Sequence, residues 1–460
     1  MAQTVTLEIA DGVRVVAPDA LNLLTPYVLF EQQDWFEDEI VFLRRFLQPG
    51  QQAIDIGANY GVYTLSIAKS VGPTGAVWAF EPASSTAAFL AQGIAANEFT
   101  QVTLECSALS RECGSAQLQL NDNSEINALV RDGQSASASE TVRVVTLDDC
   151  MQRYGWEHID FVKIDAEGEE VNIIEGARRF LAEFSPLILY EVKVSRAFHL
   201  ELVSKFAALG YDSYRLVPGL DLLVPFDAAA TPDDYLLNLF CCKKDRAASL
   251  SERGLLLTSA SNAASKAENL QKYGWQHTLT MLPYGAASAP LWAASSSSHS
   301  RAVADALGCF SISQDSSLDP LVRFRALATS LRALANVCQQ APPSLRLASL
   351  ARAARDYGAR AIAVTALGQL IEKLTKDKWI DPSEPFLAPG RRFDTVAPRA
   401  DIQEWISASV LEEYERLHAY SSFYAGAAAR GRLETIASLG YESAEMGRRL
   451  LLVRTRFPKS

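Results

Sequence analysis

The chain is 460 residues long, 48% apolar and 21% charged, the balance of a folded globular protein and not of a disordered one. That length suits two or three domains. A formal net charge of -11, with no window rich in Lys and Arg, speaks against a broad nucleic-acid-binding face.

Residues 3–8 and 13–16 alternate like short strands around Asp11-Gly12. Residues 31–47 read as one amphipathic helix stopped by Pro49-Gly50. A strand–helix alternation then sets an α/β fold class. It predicts strands over 53–56, 77–80 and 102–105, with helices over 62–71 and 84–97 between them. Strands are expected at 116–120 and 142–145, around a polar Ser/Ala-rich loop over 121–140. Strand 161–164, helix 170–182, strand 187–190 and helix 198–209 follow, and strands at 211–216 and 235–242 close the pattern.

After Lys244 strand signals vanish and Ala, Ser, Leu and Arg dominate. Residues 284–300, with Ser295-Ser296-Ser297-Ser298, read as a loop or linker. Helical spacing covers 318–338, as in Phe324, Leu327, Leu331 and Leu334, and again 345–357 and 360–374. The last pair, punctuated by Gly358, is loosely similar to a tetratricopeptide unit. A Pro-rich stretch over 382–398 precedes a long helix over 401–419, and 450–453 reads as a short strand or a last helical turn. The expected domains are 1–50, preceding the core; 51–245, the core; and 246–460, a mainly helical accessory region.

The seven cysteines lack metal-ligand spacing and read as reduced thiols. Met1 to Val13 has neither a basic start nor an apolar core, so no secretory leader is expected. No stretch reaches the roughly 18 apolar residues of a membrane span. A cytoplasmic location is the expectation.

The strongest signal is Asp55-Ile56-Gly57-Ala58-Asn59-Tyr60-Gly61, between an apolar strand and a helix. Its glycines let backbone approach a ligand at the carboxyl end of the sheet, where doubly wound folds bind. They stand four apart behind an acidic residue, which is not the dinucleotide fingerprint. Glu81 ends the next strand in Phe80-Glu81-Pro82, where a carboxylate can accept both hydroxyls of a ribose.

These blocks, with 104–110 and Lys163-Ile164-Asp165-Ala166-Glu167-Gly168, resemble the FkbM-type methyltransferases that use S-adenosylmethionine (SAM). The resemblance runs from about Thr25 to Cys242. It implies a Rossmann-like class I methyltransferase sheet with helices on both faces, followed by the mainly α-helical region. It places Gly57, Ala58, Asn59 and Gly61 around the amino-acid part of SAM, Glu81 at its ribose, and Ser107 and Ala108 near its adenine. Asp55, Tyr60, Thr64 and Pro82 complete the expected cofactor-binding set, Asp55 orienting Gly57 and attracting a cationic ligand. Many members carry a His two residues after the equivalent of Glu191, where this chain has Lys193.

Asp165, Glu167 and Glu191 fall at two neighbouring strand ends, aimed at one mouth. A hydroxyl nucleophile needs a proton acceptor, and Asp165 is the first candidate. Other roles stay open: Asp165 or Glu167 holding the substrate or capping the helix that follows, or Asp165 bridging with Glu191 to a divalent metal, a cofactor not favoured. The expected reaction is O-methylation of a hydroxyl on a sugar, glycan or other polar metabolite. The alternative is a catalytically silent SAM-binding scaffold whose helices recruit partners. Oligomerisation through the C-terminal helices is compatible with either.

Overall fold

The structure is a computed structural model and describes residues 3–121, 123–130, 138–194, 197–258, 274–339, 343–377 and 379–458. It divides into two compact units, one of Met1–Leu216, Leu223–Pro232 and Leu236–Leu256, the other of Val217–Leu222, Asp233–Tyr235 and Leu257–Ser460.

In chain order the strands begin with a hairpin, β1 (Thr4–Ile9) and β2 (Val13–Pro18). Then come β3 (Gln52–Ile56), β4 (Ala76–Phe80), β5 (Val102–Glu105), β6 (Ser107–Leu109), β7 (Gly114–Gln119), β8 (Ala128–Leu129) and β9 (Ser139–Val145). They end with β10 (Phe161–Ile164), β11 (Leu187–Glu191), β12 (Lys193–Val194), β13 (Ala197–Phe198), β14 (Asp212–Val217), β15 (Leu222–Pro225) and β16 (Asn238–Cys242).

The main sheet has eight strands in the order β15-β14-β16-β11-β10-β3-β4-β5. From β11 to β5 the pairing is parallel, while β16 runs antiparallel to both β11 and β14. Chain order reverses between β3 and β10, so a crevice opens at their carboxyl ends. This is the Rossmann-like α/β sheet expected. Each strand feeds a core on both faces: Ala53 and Phe161 lie in one apolar cluster, Ile54 and Val162 in the other. A smaller sheet, β6-β9-β7-β8, lies beside it in the chain.

Several elements differ from expectation for local reasons. The single helix over 31–47 is two helices, Leu24–Gln32 and Asp38–Phe46, separated where Gln33 turns left-handed at φ 57. The helix over 170–182 is also two, Glu170–Glu175 and Arg178–Glu183. At the break, a Cβ on Gly176 would stand 2.2 Å from the carbonyl oxygen of Ser110. Within the Ser/Ala-rich stretch, β8 pairs with β7, while 122 and 131–137 lie outside the described residues. Helix Lys244–Glu252 adds Ala247 and Leu250 to the core of the first unit.

The second unit is mainly helical. The loop or linker expected over 284–300 is largely helix: Pro283–Ala294 is a helix, with proline at its first position where the missing N–H costs nothing. Its Tyr284 and Trp292 are buried, Tyr284 stacking on Trp405 with ring centroids 4.9 Å apart. Helices Pro320–Val337, Ser344–Tyr357 and Arg360–Asp377 follow the predicted spacing, with Gly358 left-handed as a C-cap. Ile402–Leu417 is capped by the Asp401 carboxylate, and 450–453 lies inside helix Ala444–Arg456. The seven cysteines are free thiols. No helix among the described residues is long and apolar enough to cross a membrane.

Replacing Gly176 with Ala forces a methyl group against the Ser110 backbone. The expected cost is about 1–3 kcal/mol of overpacking. Urea unfolding should show it as a lower midpoint with an unchanged slope.

Candidate functional site

The loop after β3 takes its shape from three left-handed residues, Gly57 (φ 77), Asn59 (φ 48) and Gly61 (φ 87). Gly57 and Ala58 both donate to the carbonyl of Phe80 at 3.0 Å, which ties the loop to the end of β4. A Cβ on Gly57 would stand 1.7 Å from the carbonyl oxygen of Asp165, so no other residue fits between β3 and the end of β10. Gly61 opens the helix Val62–Val71.

Asp55 is fully buried. Its Oδ2 accepts from the Thr64 hydroxyl at 2.6 Å, while its buried Oδ1 meets no hydrogen-bond donor and lies 3.9 Å from Lys163 Nζ. Burial raises its pKa, with Lys163 and Thr64 pulling the other way. Glu81 is turned onto the backbone, accepting from Asn59 N at 2.9 Å and Ala83 N at 3.0 Å. Burial pushes Glu81 up to about 7. Pro82 is half-buried beside it. Tyr60 packs edge-on against Phe89. Ser107 and Ala108 are buried on β6, and Ala108 shares an apolar cluster with Ala83.

At the other side of the crevice, Asp165 follows β10 and its N–H donates to Ile56 O at 3.2 Å. Glu191 ends β11, and Glu167 sits in a left-handed turn at φ 44. One carboxylate oxygen from each of Asp165, Glu167 and Glu191 lies within 4.8 Å of the others. The predicted trio is therefore brought together. Glu170, not Asp165, caps the turn, accepting from Ala166 N and Gly168 N. Burial, then Asp165 and Glu170, pushes Glu167 up to about 8. Glu191 is raised by burial and by the charges of Asp165, Glu167 and Glu37.

Sequence reasoning missed the cation at the centre. Lys163 Nζ lies 2.8 Å from Asp165 Oδ2 and 5.0 Å from the centre of the Tyr63 ring. Burial alone would lower its pKa, but Asp165 and Asp55 hold it above the ordinary lysine value. The signal was present: a lysine inside the buried strand Phe161–Ile164, two residues before an aspartate, needs a partner. The Tyr63 hydroxyl in turn donates to the half-buried carboxylate of Glu37. A wall over the loop was also missed. Ser124 Oγ donates to Asn59 Oδ1 at 2.9 Å, and Glu125 accepts from both the N–H and the hydroxyl of Thr25.

A carboxyl raised by folding stabilises the protein fully below its unfolded value and loses that contribution as pH rises through its folded value. For Glu167 the window runs from the ordinary 4.5 to about 8. Glu167→Gln should therefore raise the melting temperature of the ligand-free protein at pH 8 and leave it unchanged near pH 4. The expected gain at pH 8 is about 1–3 kcal/mol. A gain that grew on acidification would contradict the arrangement.

The Methyltransferase FkbM domain family matches residues 55–213. No curated protein matches the chain. Among solved structures, similarity extends to a putative rRNA-methylase from Clostridium thermocellum, at 11% identity and a TM-score of 0.29, over 46% of this chain and 95% of that one. A methyltransferase FkbM from Methylobacillus flagellatus KT is 16% identical, with a TM-score of 0.29 over 47% of this chain. This chain covers 58% of that protein's structure. Aeropyrum pernix fibrillarin in complex with SAM is 9% identical over 53% of this chain and 100% of its own, with a TM-score of 0.27. The glycine loop, Glu81 and the carboxylate trio all lie within residues 55–213, the stretch that matches the Methyltransferase FkbM domain family.

Proposed function

We propose that the chain is a SAM-dependent O-methyltransferase acting on a hydroxyl of a sugar, glycan or other polar metabolite. The observation that carries it is the contact between Gly57 and Asp165, which sets the cofactor loop directly against the carboxylate trio. The residues fit SAM. Left-handed glycines leave a side-chain-free cradle, and the buried Asp55 Oδ1 lacks a hydrogen bond beside it. Glu81 keeps a second lone pair on each oxygen for the ribose hydroxyls.

SAM, when bound, supplies an electrophilic methyl group on a sulfonium. The chain's part is alignment and proton removal. Asp165, half-exposed at the mouth, accepts the hydroxyl proton as the oxygen–methyl bond forms. Glu167 and Glu191 hold neighbouring hydroxyls, as protonated donors where burial keeps them neutral. Residues 1–50 and 51–245 act together as the catalytic part, and the helical region 246–460 contributes acceptor recognition.

The close approach of the trio's oxygens favours a second reading, in which Asp165, Glu167 and Glu191 hold a divalent cation that orients the acceptor. Turnover abolished by a chelator and restored by magnesium would select it.

Glu81→Gln should weaken SAM binding in calorimetry by about 1.5–3 kcal/mol, the loss of a charge-assisted hydrogen bond. Unchanged affinity would remove Glu81 from the pocket. Asp165→Asn should lower turnover about a hundredfold or more with SAM affinity nearly constant. Unimpaired turnover in a screen of labelled methyl transfer to sugars and glycosides would end the base assignment, and SAM binding without any transfer would favour a silent scaffold. Truncation is best placed after Leu256, because Leu255 and Leu256 belong to the sheet's core. A fragment that binds SAM but fails to methylate the acceptor supports recognition by the helical region, and parental activity would refute it.

A further inference from the structure

Lys163 compensates the buried Asp55, but stability alone does not require a buried ion pair at this place. It lies in the middle of β10, between β3 and β11, at a position where a parallel sheet normally carries an aliphatic residue. Replacing a buried ion by an apolar residue of similar volume is often neutral or stabilising. Its surroundings give it a direction instead. Period-two alternation puts Lys163 and Asp165 on one face of the strand, and the pairing register sets Lys163 beside Asp55 of β3. The ammonium thus lies 3.9 Å from Asp55 Oδ1 and 2.8 Å from Asp165 Oδ2, with the Tyr63 ring at 5.0 Å. Tyr63 is itself fixed by its bond to Glu37 on helix Asp38–Phe46's N-terminal side.

We propose that Lys163 is a positioning residue for methyl transfer, a buried clamp that fixes the Asp165 carboxylate against the SAM loop. The inference rests on Asp165 being the base. The side chain of Asp165 is 41% exposed and follows the last residue of its strand, so its rotamer is not set by packing alone. Lys163 sets it: engaging Oδ2 from behind leaves Oδ1 to receive the acceptor's proton. The same ammonium faces Asp55, whose other oxygen is bound to Thr64 in the helix after the loop. One cation therefore registers the base against the cofactor cradle. Alignment of the three reacting centres is what an in-line displacement requires, and small misplacements at this point cost rate.

The test is a double-mutant cycle in the full chain between Lys163→Met and Asp165→Asn. Transfer from labelled SAM to the best acceptor among monosaccharides and methyl glycosides is followed, with SAM affinity measured by calorimetry. Expected is a fall in kcat of at least about tenfold for Lys163→Met, with the acceptor KM within about twofold. In the Asp165→Asn background the same change should have almost no further effect on kcat, because no base is left to position. Equal losses in both backgrounds, or parental kcat in Lys163→Met, would overturn the proposal while leaving the base assignment standing. Full activity of Asp165→Asn alone would instead strike the base assignment and the clamp with it. If Lys163→Met unfolds because Asp55 is left uncompensated, Asp55→Asn/Lys163→Met removes both charges. The cycle is then read in that pair at saturating SAM, with the same outcomes deciding.

Discussion

A single ammonium group, closed off from solvent inside a parallel sheet, holds opposite sides of the crevice in register. Lys163 reaches Asp55 on one strand and Asp165 at the end of its own, so the glycine loop and the carboxylate trio share one electrostatic anchor. In a low-dielectric interior an unpaired cation would be costly, and so would the buried Asp55 without it. Around this anchor, only shape is left to specify. Gly57 must lack a side chain because the Asp165 carbonyl passes where its Cβ would be, and Gly61 is favoured by its left-handed φ of 87.

The carboxylates outnumber the cation. The charge of Asp165 raises Asp55, Glu167, Glu191 and Glu37, while Lys163 pulls Asp55, Glu167 and Glu37 the other way. Without a ligand, the folded protein holds protons on groups that would be ionised in water. A cationic sulfonium cofactor, or a divalent ion held by the trio, would relieve that repulsion.

Much of the sheet was legible because buried parallel strands advertise themselves. The runs at 53–56, 77–80, 161–164 and 187–190 are short, apolar and bounded by turn residues, and β3, β4, β10 and β11 form there. Where tertiary contact sets the outcome, the pattern misled. Nothing local to residues 170–182 says that Ser110 will press against Gly176 and end the helix. The serine run at 295–298 suggested a linker, yet Tyr284 and Trp292 just before it are core residues. Site residues divide the same way. Asp165, Glu167 and Glu191 stand at strand ends and could be paired from topology, whereas Glu37 and Glu125 come from segments with no motif, and only folding brings them in.

The wall formed by Ser124 and Glu125 also determines how this domain can be recombined. Glu125 grips the start of helix Leu24–Gln32 through Thr25, Asn123 accepts from Leu24 N, and Ser124 holds Asn59 in the glycine loop. Three stretches far apart in the chain thus close as one latch, and one of them lies before residue 55, where the family match begins. Swapping the 123–129 loop between relatives would transplant a key without its lock. A graft of that loop must carry Leu24, Thr25 and Asn59 along with it to keep the latch closed.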